Sequence, residues 1–422
     1  MSADVSRRAF LTGVGAAGAV GAVGLGVGLA GCTREHASSS GTADTTGRTG
    51  GDRSVVAFRG THQAGIVTPA QDRLAFAAFD LTSNSKADLL SMLSTWTAAA
   101  EAMTLGKQVP GGASNLAAPP ADTGEAVGLP ASALTVTIGF GPSLFDDRFG
   151  LGSRRPGALV ELPALPGDSL QPARSGGDLC IQACANDPQV AFHAVRNLAR
   201  LARGHAVIRW SQLGFGRTSS TGSNQATPRN LMGFKDGTRN IKADETAALD
   251  QHVWVGAETD QQWIKGGSYL VARRIRMLIE SWDRDYLADQ QNVFGRFKTT
   301  GAPLTGTHEF DTPDLDMTDA GKPVIPANAH IRLASPDGNG GVRILRRGYS
   351  YTDGIDPATG ELDAGLFFIA FQKDPRTHFV ALQRKLGMDD ALNEYISHTG
   401  SALFACPPGQ RVGQSWADAL SA

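Results

Sequence analysis

An α+β fold built from two similar halves, each an antiparallel sheet with helices on one face, is predicted by three features of the 422-residue chain. Short strand-like runs alternate with amphipathic helical ones over most of its length. One strand–helix–strand unit returns later in the chain in the same register. The 41% hydrophobic content is enough to fill the cores of two ordinary domains after removal of an export segment.

The elements follow in chain order. Arg7 and Arg8, in SRRAFL, precede an apolar run from Gly13 to Gly31 made mostly of Gly, Ala and Val. Gly and Ala contribute little transfer energy, so the run suits a signal h-region better than a permanent anchor. The arginine pair selects the twin-arginine translocase as a partner, a route used by proteins that fold, often around a cofactor, before export. The run ends in Leu29-Ala30-Gly31-Cys32, which resembles a lipobox. Residues 1–32 are therefore expected to be a twin-arginine signal peptide, with Cys32 lipidated and the protein held at the outer face of the cell membrane. With Cys32 merely near an ordinary cleavage site, the protein is secreted. Residues 33–52 are rich in Ser, Thr and Gly and are expected to form a flexible linker.

An N-terminal domain is expected over residues 53–225 and a C-terminal domain over 226–422. In the first, strands are predicted at Val55–Arg59, Leu74–Leu81 and Ala133–Gly139, and a helix at Lys86–Met103. Then comes LCIQACANDPQVAFHAVRNLARLARGHAVIRW: a strand to Cys184, a helix to Arg203 and a strand from Ala206. In the second, a strand at Tyr269–Ile279, a helix near Asp283–Gln291 and strands around Ile331 and Ile344 precede LFFIAFQKDPRTHFVALQRKLGMDDALNEYIS and the strand-like ALFAC. At one constant offset, Ala183 pairs with Ala370, Asp187 with Asp374, Pro188 with Pro375, Phe192 with Phe379 and Ala194 with Ala381. In both copies the Asp is placed to cap a helix and the Pro occupies its first position, where a missing N–H costs nothing. Each half can be drawn as a ferredoxin-like sandwich, with the two halves packed sheet to sheet.

Composition narrows the function. A net charge of −2, from 39 basic and 41 acidic residues, supplies no footprint for a polyanion, so nucleic acid is not an expected partner. Four cysteines are too few for a disulfide scaffold, and Cys180 and Cys184, spaced i and i+4, read as core packing rather than a metal pair.

Three segments carry candidate chemistry: GFKDGTRN (Gly233–Asn240), NAHIRLASP (Asn328–Pro336) and RILRRGYSYTDG (Arg343–Gly354). Asp236 lies in a glycine-flanked turn, where an Asp serves as a backbone cap or as a carboxylate catalyst. His330, one of nine histidines, has no second metal ligand near it in sequence. Arg346 and Arg347 are consecutive on a predicted strand, so only one can face a given site. Tyr349 and Tyr351 are either core residues or carriers of electrons.

In combination, the G-x-x-D-G element, the HIRLA histidine and the LRRGYSY strand resemble those of dye-decolourising haem peroxidases, in the branch that carries twin-arginine signals. HQAGI at His62–Ile66 and GGSYLVARRIRM at Gly266–Met277 extend the resemblance over essentially the whole mature chain. It implies a fold of the dimeric α+β barrel type and one haem b per chain, held mainly by the C-terminal half. His330 is then the proximal ligand of the haem iron, which needs only one protein imidazole beside the four porphyrin nitrogens. Asp236 moves a proton between the oxygens of hydrogen peroxide, and Arg346 stabilises developing charge. Gly237, Thr238, Arg239, Arg332, Ser335, Pro336 and Asp337 line the haem, with Arg332 placed on the strand face of His330 to meet a propionate. Asp311, Asp314 and Asp316 are the candidates for holding the other nitrogen of His330. Gly348 stands where some branches have a distal asparagine, so none is expected, and Arg347 is expected to be an exposed strand-edge arginine. The implied activity is peroxide reduction that oxidises dye-like or phenolic donors through a ferryl intermediate. The alternatives are a deferrochelatase that takes iron from haem, and a haem- or metal-handling lipoprotein.

Overall fold

In the computed structural model, residues 53–111 and 116–421 are described; the predicted signal peptide, Cys32 and the linker lie outside them. The elements are β1 (Arg73–Leu81), α1 (Lys86–Thr104), β2 (Thr135–Phe140), β3 (Leu179–Ala185), α2 (Pro188–Leu201), β4 (Ala206–Arg217), α3 (Thr246–His252), β5 (Ser268–Met277), α4 (Ile279–Trp282), α5 (Leu287–Phe294), the β6–β7 hairpin (Thr318–Asp319 and Lys322–Pro323), α6 (His330–Leu333), β8 (Leu345–Arg346), β9 (Tyr349–Ile355), β10 (Leu362–Gln372), α7 (Ala381–Asp389), β11 (Ile396–Cys406) and α8 (Asp418–Ser421).

Both halves have the ferredoxin-like strand order. In the first it runs β2-β3-β1-β4, and in the second β11-β5-β10-β9. The inner faces of the two sheets look at each other, as expected, but their edges also join. β11 meets β2 at Ala405–Phe140, and β4 meets β9 at Phe215–Ser350 and Arg217–Tyr349, which closes an eight-stranded antiparallel barrel. The period of two sorts the side chains. On β1, Leu74, Phe76 and Ala78 fill the barrel, whereas Ala75, Ala77 and Phe79 pack outward under α1 and α2. Cys180, Cys184 and Cys406 are free, buried thiols of the barrel core.

The repeat is architectural. Ala183 and Ala370 lie on β3 and β10, the third strand of each half. The Asp187 carboxylate accepts from the Gln189 and Val190 amides at 2.7 and 3.2 Å, and that of Asp374 accepts from the Arg376 amide at 2.9 Å. The second copy departs from the first in its opening turn, Arg376–Val380, which is wound as a π-helix before α7.

Three expected elements differ. Val55–Arg59 is not a strand, because closure of the barrel leaves no sheet edge for it; Phe58 instead packs on Trp416, and Arg59 pairs with Glu101. The helix expected at Asp283–Gln291 is two short helices, α4 and α5. The strand expected around Ile331 is the single helical turn α6, closed by the Leu333 amide on Ala329 O at 3.2 Å and the Ala334 amide on His330 O at 2.9 Å.

Two interior histidines make the fold acid-sensitive. Burial, with His252 beside it, pushes His378 down to about 4, and burial, with Arg273 beside it, does the same to His398. Both bind a proton more readily unfolded, so their contribution is complete above pH ~6.5 and is lost as pH falls toward 4. Thermal unfolding followed from pH 7 to pH 4.5 should show a loss of roughly 2 kcal/mol per histidine, and His398→Phe should flatten the slope.

Candidate active site

The Asp236 turn is shaped by its neighbours. The Asn230 side-chain oxygen accepts from the Met232 and Phe234 amides at 3.1 and 3.3 Å, and the Asp236 amide donates to Pro228 O at 2.9 Å. Gly237 has φ +84°, and a Cβ there would lie 2.9 Å from Ser219 Cα, so only glycine fits. The chain thus presents the Asp236 carboxylate toward β8, where Arg346 Nη1 donates to its Oδ1 at 2.7 Å. Asn230 Nδ2 donates to the other oxygen at 3.3 Å.

Arg346 is positioned through its own backbone. Asn240 Oδ1 accepts from the Arg346 amide at 2.7 Å, and Asn240 Nδ2 donates to the Arg346 carbonyl at 2.8 Å. Arg347, expected to be exposed, is fully buried on the opposite face. Its guanidinium donates to the Thr68 carbonyl, to the Gln71 side chain and, at 3.2 Å, to Thr221 Oγ1. The β-strand alternation therefore holds, but closure of the barrel leaves no exposed face for the second arginine. At Gly348 a Cβ would stand 2.7 Å from Thr218 Oγ1, so an asparagine has no room there.

His330 opens α6 with about a third of its side chain exposed, and its Nδ1 lies 2.6 Å from Asp390 Oδ2. Asp390 is buried and also caps the following turn by accepting from the Leu392 amide at 2.9 Å. Burial pushes the imidazole down, but the Asp390 carboxylate outweighs it and holds the ring above its ordinary range. The charges of Arg346 and Asp236 also act on the ring, more weakly than that of Asp390. Nε2 makes no hydrogen bond to a described residue, and Phe294 meets the ring edge-on with centroids 6.3 Å apart. The expected anchors lie elsewhere. Asp311 accepts from the Thr307 and His308 amides, and Asp314 accepts from those of Asp316 and Met317, all within local turns.

Arg332 is a second correction. Two residues apart on a helical turn is roughly 200° of rotation, so it does not share a face with His330. Its Nε donates to Pro326 O at 3.1 Å, and its Nη2 to Leu315 O and Ile325 O at 2.6 and 2.7 Å, which ties the approach loop together. Ser335 precedes the 3-10 turn Pro336–Asn339; Ser335 and Pro336 are half-buried and Asp337 is exposed. Thr238 Oγ1 donates to Glu309 at 3.2 Å, and Arg239 Nη2 to Thr312 at 3.0 Å. Arg296 is pushed down to about 10, chiefly by burial and then by the charge of Arg239, with Arg346 contributing least. Lys242 is lowered by burial as well, with Arg346 contributing. The charge of Arg346 thus acts on both cations, and sequence reading did not foresee Arg296, Lys242, Asn230, Asn240 or Asp390.

An imidazole anchored by a buried carboxylate and an arginine–carboxylate pair, carried on a closed α+β barrel, are the groups a haem peroxidase needs. The chain belongs to the Dyp-type peroxidase family: the model for the family's N-terminal part matches residues 63–216, and that for its C-terminal part residues 227–411. Among curated proteins, the deferrochelatase of Escherichia coli strain K12 is 37% identical over 411 residues, covering 96% of this chain and 94% of its own. Among solved structures, a DyP-type peroxidase from Streptomyces coelicolor is 42% identical with a TM-score of 0.80, covering 88% of this chain and 98% of its own. Ferric DtpA from Streptomyces lividans is 42% identical with a TM-score of 0.79, covering 86% and 96%. The chain is accordingly an oxidoreductase that takes peroxide as its acceptor.

Proposed function

We propose that the chain is a haem peroxidase that reduces hydrogen peroxide at the expense of a dye-like or phenolic donor, with Asp236 and Arg346 handling the peroxide and His330 holding the iron. The observation that carries this is the 2.7 Å contact between Arg346 and Asp236, together with a His330 ring held through Nδ1 by the buried Asp390 at 2.6 Å. The residues fit haem. Among the described residues no group of three or more His, Cys, Asp or Glu could hold a bare metal ion, so a single imidazole suits a metal that arrives with its own four ligands. The cations Arg239, Arg296 and Lys242 suit the carboxylates of haem b, and Gly237, Thr238, Ser335, Pro336 and Asp337 are the further residues that would hold it. Arg332 keeps only Nη1 for a propionate and acts first on its own loop.

When bound, haem supplies the iron and the redox equivalents. Asp236 accepts the proton of one peroxide oxygen and returns it to the other, which requires a carboxylate within hydrogen-bond reach of both. The Arg346 fork, held by Asn240, stabilises negative charge on the departing oxygen. Asp390 fixes the His330 tautomer with the proton on Nδ1 and leaves Nε2 as the ligating atom. Asp390→Ala should weaken haem retention about 10–100-fold, read by transfer of haem to an apo-acceptor. Retention equal to wild type would remove Asp390 from that role.

An absorption spectrum of the purified protein before and after one equivalent of hydrogen peroxide tests the whole reading. A Soret band that converts promptly is expected; a band indifferent to peroxide would overturn it. The identity to deferrochelatases supports a second activity, release of iron with the porphyrin intact, and metal-free porphyrin accumulating on incubation with haem would establish it. For localisation, Arg7-Arg8, the weakly apolar run and Leu29–Cys32 support export by the twin-arginine translocase and a lipid anchor at Cys32. The mature N-terminus read by mass spectrometry, with and without globomycin, checks this: an unlipidated Cys32 would leave a secreted protein.

A further inference from the structure

A second histidine–carboxylate pair lies in the N-terminal half, outside everything assigned above. His193, on α2, is buried, and its Nε2 lies 2.9 Å from Asp122 Oδ1. Asp122 is fully engaged, because its oxygens also accept from the Val109 amide at 2.8 Å and the Gly124 amide at 2.7 Å. A carboxylate facing Nε2 sets the proton there, so in the neutral ring the lone pair is on Nδ1. Nδ1 makes no hydrogen bond to a described residue. In contrast to His378 Nε2, it is not sealed in the interior.

The ring lines a cavity of about 80 Å³ whose walls include Met103, Leu129, Leu134 and Val190. A space of that size admits about five to eight water-sized centres. Among its described lining residues the buried polar side chains are Asp122 and His193, with Lys107 and Gln108 exposed at its edge, and a ring nitrogen left without a donor is unfavourable until one meets it. Water can supply that donor but gains nothing from the apolar part of the lining. A molecule with one hydroxyl on a compact apolar body satisfies both, and the Met103 thioether favours an aromatic one.

We propose that this cavity is a binding site for a small uncharged phenol, with its hydroxyl donating to His193 Nδ1 and its ring packed between Met103, Leu129, Leu134 and Val190. Asp122 acts by orienting the imidazole, and the site is separate from the Asp236–Arg346 centre.

The test uses the haem-loaded protein and phenol itself. Crystals soaked in phenol should show a planar ligand in the cavity with its oxygen within hydrogen-bond distance of His193 Nδ1. Calorimetric titration should show at least tenfold weaker binding to His193→Phe. Because that change strips Asp122 of a donor and can disturb the fold, Val190→Phe provides an independent probe. It fills the cavity, leaves the Asp122–His193 pair intact and should also weaken binding at least tenfold, with an unchanged Soret band as the folding control. Soaked crystals with only water in the cavity, phenol found elsewhere while the cavity stays empty, or wild-type affinity in both variants would each overturn the proposal.

Discussion

Asp236→Asn should lower kcat/KM for hydrogen peroxide by about 10²–10⁴-fold, the usual worth of a positioned general acid–base group. The amide keeps the shape of the side chain and can still accept from Arg346, so the Soret band and the thermal midpoint should stay near wild type. What is lost is the capacity to take a proton and give it back. Stopped-flow mixing with peroxide reads the step directly, and a wild-type rate in Asp236→Asn would remove the proton-transfer role. Restoration of the rate at raised pH, where peroxide brings less of the proton burden, would support it.

Arg346→Leu should cost about 10²–10³-fold in the same step, the worth of one preorganised charge-stabilising donor. The two effects will not add. Arg346 Nη1 holds one oxygen of Asp236, so removing the arginine leaves that carboxylate with Asn230 as its remaining side-chain donor and releases its orientation. The double variant should therefore be only slightly slower than Asp236→Asn alone. Arg346→Lys keeps the charge but loses the planar fork, so it should recover only part of the rate. Full recovery with lysine would show that charge alone, rather than fixed geometry, sets the rate.

The halves of the fold were legible because they rest on local signals. Asp187-Pro188 and Asp374-Pro375 are helix starts that any sequence reading detects, and the alternation on β1 separates Phe76 from Phe79 without reference to tertiary structure. Closure of the barrel was not legible, since the seams depend on a few pairings, Ala405–Phe140 and Phe215–Ser350 among them, that no local pattern announces. The error at Val55–Arg59 follows directly, because a strand-like run becomes a strand only where an edge is free. In the site, Asp236, His330 and Arg346 were reached through motif resemblance. Asp390 was not, because it approaches His330 from the end of α7, 60 residues downstream, whereas Asp311, Asp314 and Asp316 lie upstream and nearer in sequence. Asn240 lay in plain view inside GFKDGTRN, but its task, clasping both backbone groups of a residue on β8, is a property of the folded pair.

The buried Arg347 gives the duplicated architecture a division of labour. Its guanidinium reaches Thr68 and Gln71, which precede the first strand, while the preceding residue, Arg346, faces Asp236. The earlier copy of the fold contributes none of the three residues proposed for the chemistry, yet it serves as the jig against which Arg346 is registered. The first half is thus constrained from within: the Thr68 carbonyl and the Gln71 and Thr221 side chains must keep their places for Arg347, and with it the strand that carries Arg346, to stay in register.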